Sequence, residues 1–173
     1  MAIKPNLIVT HEPSHIGTAK KEVESLMEAI KHNAKFLKSD VDGIFNLKVK
    51  NARDTVKKLS KLAKKQIEMF DTTFHWTPID KWCKSTIKDM QKTAKSLAKD
   101  IKKTDRWKME IKKRKTNKHE QDLIMKLTSV IDRANVDLKN PKKIVKVEII
   151  GNKAGFSLLG ADELLKTAKL KKK

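Results

Sequence analysis

The spacing of apolar positions changes repeatedly along the chain, and each change marks an element. Residues 6–12 (Asn-Leu-Ile-Val-Thr-His-Glu) have the β-branched, apolar content of a short buried strand. Pro13-Ser14 follows as a turn, with Ser14 the expected helix N-cap. Ile16, Ala19, Val23, Leu26, Met27 and Ile30 then recur at helical spacing, while Lys20, Lys21, Glu24 and Lys31 fall off that stripe. Phe36-Leu37 and residues 43–49 read as two strands, separated by residues 40–43 with their Asp-Gly turn signal. Asn51 stands where it would cap a second helix, with Val56, Leu59, Leu62, Ala63, Ile67 and Phe70 on one stripe. Lys57, Lys58, Lys61, Lys64 and Lys65 make up its polar face. Residues 72–77 are β-prone and end at Pro78. This order predicts a ferredoxin-like βαββαβ domain over residues 1–80.

A second pattern begins near residue 81. Ser85 is the expected cap of a helix carrying Ile87, Met90, Ala94, Leu97, Ala98 and Ile101. Residues 106–115 alternate Trp107, Met109 and Ile111 with Lys108, Glu110 and Lys112, which predicts a strand with one buried face. A loop at residues 116–118 leads to a helix bearing Leu123, Ile124, Leu127, Val130, Ile131 and Ala134. After the break at Asn140-Pro141, residues 143–150 and 154–159 read as strands joined by the turn Gly151-Asn152-Lys153. A short helix is expected over residues 162–166. The fold class is therefore α+β, with a second domain over 81–166 and a frayed basic tail over 167–173.

Charge changes the picture of what the chain meets. Among 173 residues, 41 are Lys or Arg against 21 Asp or Glu, a formal net charge of +20. Arg53, Arg106, Arg114 and Arg133 are the only arginines; every other cation is lysine. Such an excess repels itself on compaction and favours a polyanionic partner. Cys83 is the single cysteine, so no internal disulfide can form, which fits a reducing cytoplasm. No stretch approaches the roughly 18 apolar residues of a membrane span, and the N-terminus lacks a secretory apolar run.

Candidate catalytic chemistry is sparse. His11 and His15 are separated by Pro13-Ser14, so no single helix face presents both to a metal. Cys83 has no ordered base beside it in the sequence. Neither a dinucleotide nor a P-loop signature occurs, and residues 151–155 form a hairpin turn between strands instead of a phosphate loop. The pairs Glu22 with Glu24 and Asp162 with Glu163 read as exposed helix charges. Trp107 belongs to the core by its alternation; Trp76 and Trp82 are the weaker candidates for base stacking.

The cations carry more. Residues 112–118 (Lys-Lys-Arg-Lys-Thr-Asn-Lys) close a strand and run into a loop before a helix. Amides at that helix start, four lysines and one arginine can together meet several phosphates. Arg114 alone there offers a planar fork. Residues 139–143 and the Asn152-Lys153 turn add cations in the same half.

These segments resemble the THUMP domain of tRNA-modifying proteins. The whole chain resembles the stand-alone THUMP proteins that assist tRNA cytidine acetylation. The matching pieces are the opening residues 6–13, Lys113-Arg114-Lys115-Thr116, Asp137-Leu138-Lys139-Asn140-Pro141, and the hairpin with Val147 to Gly151 and Ala154 to Ser157. Lys115 stands where a histidine is common, and Lys142 where an acidic residue is often seen; both departures bear on base contacts more than on phosphate contacts. The resemblance implies a non-catalytic adaptor that grips the acceptor stem and 3′ CCA end of tRNA. It would present a D-arm cytidine to a separate RNA cytidine acetyltransferase. Acetyl-CoA and ATP would then be used by that enzyme, and this chain would need no cofactor and no metal. The expected RNA-binding residues are Lys113, Arg114, Lys115, Thr116, Asn117, Lys118, Asn140, Lys142, Asn152 and Lys153. The alternatives are a lysine-rich nucleic-acid-coating protein without tRNA preference and an acetyltransferase in its own right.

Overall fold

The computed structural model describes residues 3–172. The chain divides into two compact units. The first runs to Ile79 and resumes at Asp162; the second is Asp80–Ala161.

In the first unit, β1 (Leu7–His11) leads through a 3-10 turn (Pro13–His15) to α1 (Ile16–Ala29). Next come β2 (Ala34–Leu37), β3 (Ile44–Val49), α2 (Ala52–Lys65) and β4 (Thr73–Pro78). All pairings are antiparallel, in the order β2-β3-β1-β4. Alternation along the strands sends Leu7, Val9, Phe45, Leu47, Val49 and Trp76 into one core with Val23 and Leu26 of α1 and Val56 and Leu59 of α2. Asn51 caps α2 as expected, accepting from the Asp54 amide at 3.0 Å. Asn6 extends the sheet with its side chain, bonding the Val49 carbonyl at 2.8 Å and the Val49 amide at 2.9 Å.

Two expectations fail here. Ser14 is not the cap of α1. Pro13, with its φ fixed, opens a 3-10 turn capped by the Glu12 carboxylate, and the Ser14 hydroxyl bonds that carboxylate at 2.8 Å. Glu22 is no idle surface charge, because its carboxylate accepts the amides of Asp71, Thr72 and Thr73, each at 2.8 Å.

The second unit holds β5 (Lys81–Lys84), α3 (Ile87–Ala98), β6 (Trp107–Arg114), α4 (Glu120–Thr128), β7 (Lys143–Ile150) and β8 (Lys153–Gly160). The sheet order is β5-β8-β7-β6; β6 and β7 are parallel and the other pairs antiparallel. Trp107, Met109 and Ile111 do face the core, with Val145, Val147, Ile149 and Phe156 beside them and both helices packed on that side. The β5 strand was not foreseen. It takes up residues 81–84, so the helix cap moves from Ser85 to Thr86, whose hydroxyl accepts from the Asp89 amide at 3.2 Å. Ser85 bonds the Gly151 carbonyl instead, at 2.8 Å. The fourth helix stops at Thr128, short of the expected Ala134.

The closing segment departs most from expectation. Residues 162–166 are not a helix. A 3-10 turn (Ala161–Glu163) leads to β9 (Leu165–Lys166), which pairs with β4, and then to α5 (Thr167–Lys171). Leu165 and Thr167 are buried, and the Thr167 hydroxyl bonds the Thr73 carbonyl at 3.2 Å. Residues expected in the second domain thus complete the first sheet, and residues expected in a frayed tail form a helix that belongs to the first unit. Lys173 lies outside the described residues.

Candidate nucleic-acid interface

The parallel register of β6 and β7 positions the site. Arg114 lies opposite Ile150, so both strands end at one edge of the sheet. The Gly151-Asn152 turn into β8 begins there, with the Gly151 amide bonding the Arg114 carbonyl at 2.8 Å. Gly151 has φ +60, a left-handed conformation suited to glycine. A Cβ at Gly151 would stand 3.9 Å from the Lys115 carbonyl, so the turn and the loop are in contact.

Lys113, Lys115, Asn117, Asn152 and Lys153 are exposed at this edge; Arg114, Thr116 and Lys118 are half-buried. Lys115 has φ +54, unusual for a side-chain-bearing residue. The Thr116 hydroxyl accepts from the Lys118 amide at 3.4 Å. Arg114 gives one nitrogen to the buried Glu148 carboxylate, 3.0 Å away. With five N–H donors in a guanidinium, that pair leaves capacity for a phosphate oxygen.

Sequence reasoning missed one cation here. Lys84 of β5 pairs in register with Lys153 and is exposed beside it. The signal was a four-residue edge strand with no alternation to betray it.

Asn140 and Lys142 do not join the cluster. They precede Lys143, which lies opposite Trp107 at the starting edge of β6 and β7. Seven residue steps at ~3.3 Å put the two edges roughly 23 Å apart. There the Lys142 ammonium sits 3.5 Å from Asp105, and the Asn140 amide bonds the Asp137 carboxylate at 2.9 Å. The start of α4 is also a poorer anion site than expected, since Glu120 and Asp122 fill its first turn.

Burial pushes the Cys83 thiol above its ordinary range, the opposite of an activated nucleophile. His11 is buried and stacked on Phe45 at 4.0 Å, while His15 is exposed and bonds Ser14. Among the described residues no cluster of three or more His, Cys, Asp or Glu could hold a metal. Trp76 and Trp107 are buried, which removes Trp76 as a stacking platform; Trp82 is half-buried.

Residues 84–159, nearly the whole second unit, match the THUMP domain family. The chain carries a THUMP domain. Among solved structures, PH1313 from Pyrococcus horikoshii is similar with a TM-score of 0.63 at 14% identity, over 94% of this chain and 55% of that one. A 4-thiouridine synthetase solved in complex with RNA and with bound ATP gives 0.56 at 17% identity, over 95% and 42%. TrmN from Thermus thermophilus gives 0.54 at 16% identity, over 88% and 44%. At these identities the likeness is one of fold. The chain spans about half the length of the solved structures it matches. No curated protein sequence matches it at a significant level.

Proposed function

We propose that the chain is a tRNA-binding adaptor that holds the acceptor stem and 3′ CCA end through its THUMP domain. In this role it presents a D-arm cytidine to a separate RNA cytidine acetyltransferase. The observation that carries the proposal is the convergence of residues 113–118 with Asn152 and Lys153 at one edge of the THUMP sheet. A-form RNA is recognised mainly through shape, phosphates and 2′-hydroxyls, with base edges open at unpaired ends. Lysines on a short loop and a hairpin suit the phosphates, and Thr116, Asn117 and Asn152 suit hydroxyls. The antiparallel order β2-β3-β1-β4 with two helices supports a ferredoxin-like domain ahead of the THUMP domain. On this reading the chain itself has no catalytic role and takes no cofactor. Acetyl-CoA and ATP are used by the acetyltransferase, and the work takes place in the cytoplasm.

Binding to intact tRNA and to the same tRNA trimmed of its CCA end, at near-physiological salt, tests the proposal. Clear weakening on trimming is the expected outcome. Equal affinity for both overturns acceptor-end recognition and favours a nucleic-acid-coating protein, to which the excess of lysine over arginine also points.

A further inference from the structure

The outer face of α3 carries a row of lysines that the fold does not use. Lys88, Lys92 and Lys95 are exposed on it, and so is Lys99, which follows the helix with its backbone still helical at φ −59 and ψ −28. At 100° per residue the four fall within an arc of about 60°, opposite the buried Met90, Ala94 and Leu97. At 1.5 Å per residue the row is roughly 16 Å long. Like charges at these i,i+3 and i,i+4 spacings destabilise a helix. Among the described residues none of the four is in an ion pair, whereas Lys57 and Lys58 of α2 pair with Glu163 and Asp54. Asp89, the one carboxylate within α3, accepts the Thr86 hydroxyl at 2.7 Å instead. The row therefore weakens the helix, and no carboxylate in the described chain offsets it.

The row starts at the cationic edge. β5 ends there, with Lys84 opposite Lys153. Ser85 ties the approach to α3 to the same turn, its amide bonding the Asn152 carbonyl at 3.0 Å and its hydroxyl the Gly151 carbonyl at 2.8 Å. The helix then runs back along β5, since the Lys81 ammonium at the start of that strand meets the Ser96 hydroxyl at 2.8 Å. Lys84 and the four helix lysines thus form a track that leaves the edge within one unit. The composition of the face selects its partner. α3 has no arginine and no aromatic residue, and the exposed large apolar side chains among the described residues lie elsewhere, at Ile3, Ile16, Met125, Val136 and Leu138. A protein interface is built on an apolar centre and is poor in lysine, so this face suits one badly. Point charges in a straight row suit successive phosphates and read no base.

We propose that the lysine face of α3 is a second RNA-binding surface, which takes the phosphate backbone of the stem next to the end held at the cationic edge. This assignment rests on the tRNA-binding reading of that edge. It divides the work between the two surfaces: the edge meets the unpaired end, and α3 meets the stem without regard to its sequence.

The test follows binding of the full chain to intact tRNA as salt is raised. Four proteins are compared: the wild type, Lys92→Gln with Lys95→Gln, Lys61→Gln with Lys64→Gln, and Lys115→Gly. The α2 pair removes the same charge, at the same spacing, from exposed positions outside the track. The α3 pair is expected to flatten the slope of log K against log[salt] by roughly 1.4–1.8, two phosphate contacts, while the α2 pair leaves it unchanged. The α3 pair should melt no earlier than the wild type, because repulsion along the helix is relieved. Equal flattening by both pairs would reduce the effect to overall charge and overturn the proposal. An unchanged slope in the α3 pair, with Lys115→Gly still flattening it, would give this face to a partner other than RNA and leave the edge standing. Flattening by neither would remove the reading of the edge, and the track with it. On tRNA trimmed of its CCA end the α3 pair should flatten the slope by the same amount. Flattening confined to intact tRNA would put these lysines on the unpaired end and overturn the stem assignment.

Discussion

At the residue scale, Lys115 is the most informative position. A left-handed backbone costs a side-chain-bearing residue roughly 1–2 kcal/mol, yet lysine occupies φ +54 at the tip of the cationic edge. Glycine would relieve that strain but cost roughly 0.5–1 kcal/mol through the freer unfolded chain. The relief exceeds the cost by roughly 0.5–1 kcal/mol. Lys115→Gly is therefore expected to raise the melting temperature slightly while weakening tRNA binding. The slope of log K against log[salt] should flatten by roughly 0.7–0.9, the loss of one phosphate contact. An unchanged slope would remove Lys115 from the interface. The motif around Lys115 was legible in the sequence because it is contiguous. Its neighbours were not: Glu148 lies 34 residues from Arg114, and only the parallel register of β6 and β7 brings them together.

At the element scale, β6 and β7 share an ion-pair ladder. The Lys108 ammonium is 2.7 Å from Glu110, Lys146 is 3.8 Å from Glu110 and 3.5 Å from Glu148, and Arg114 is 3.0 Å from Glu148. Lys146 and Glu148 are almost fully buried, so removing Glu148 strips compensation from a buried cation. Glu148→Ala should destabilise the second unit by about 3–5 kcal/mol in denaturant unfolding; a change below 1 kcal/mol would show the ladder to be ornamental. Asp105 anchors the start of β6. The Lys102 amide and the Lys143 ammonium hold its carboxyl down at about 2, against an ordinary 3.8. The unfolded chain takes up that proton more readily, so this stability is complete above 3.8 and is lost as pH falls through about 2. Asp105→Asn should melt earlier than the wild type at neutral pH, with the gap closing as pH drops through that window. A gap independent of pH would assign the effect to shape. The longer elements were legible because periodicity persists across them. The missed ones, β5 and β9, have four and two residues, too few for any period, and are specified by the strands they pair with. The fourth helix ends early for a local reason. The hydroxyls of Thr128 and Ser129 bond back to the carbonyls of Ile124 and Lys126, satisfying the last turn where the apolar spacing of Val130 and Ile131 predicts that the helix continues.

At the scale of the whole molecule, the chain crosses from the first unit to the second and returns, and sequence contiguity hides that return. β9 contributes only two residues, yet it pairs with His75 and Trp76 and covers the outer side of β4. Without it β4 becomes an open edge beside the largest buried side chain of its core. Leu165 is buried in that core, and losing such a side chain costs about 2–5 kcal/mol. Glu163 goes too, and with it the ion pairs to Arg53 and Lys57 at 3.5 and 3.7 Å, which matter more in a chain of net charge +20. Ending the chain after Ala161 should therefore loosen the first unit selectively. Hydrogen exchange read by segment is expected to show faster exchange in Thr73–Pro78 and in α2, with Trp107–Arg114 and Lys143–Ile150 unchanged. Equal loss of protection in both units would mean that they unfold as one body, and the return of the chain would then be a clasp for the whole and not for the first sheet alone.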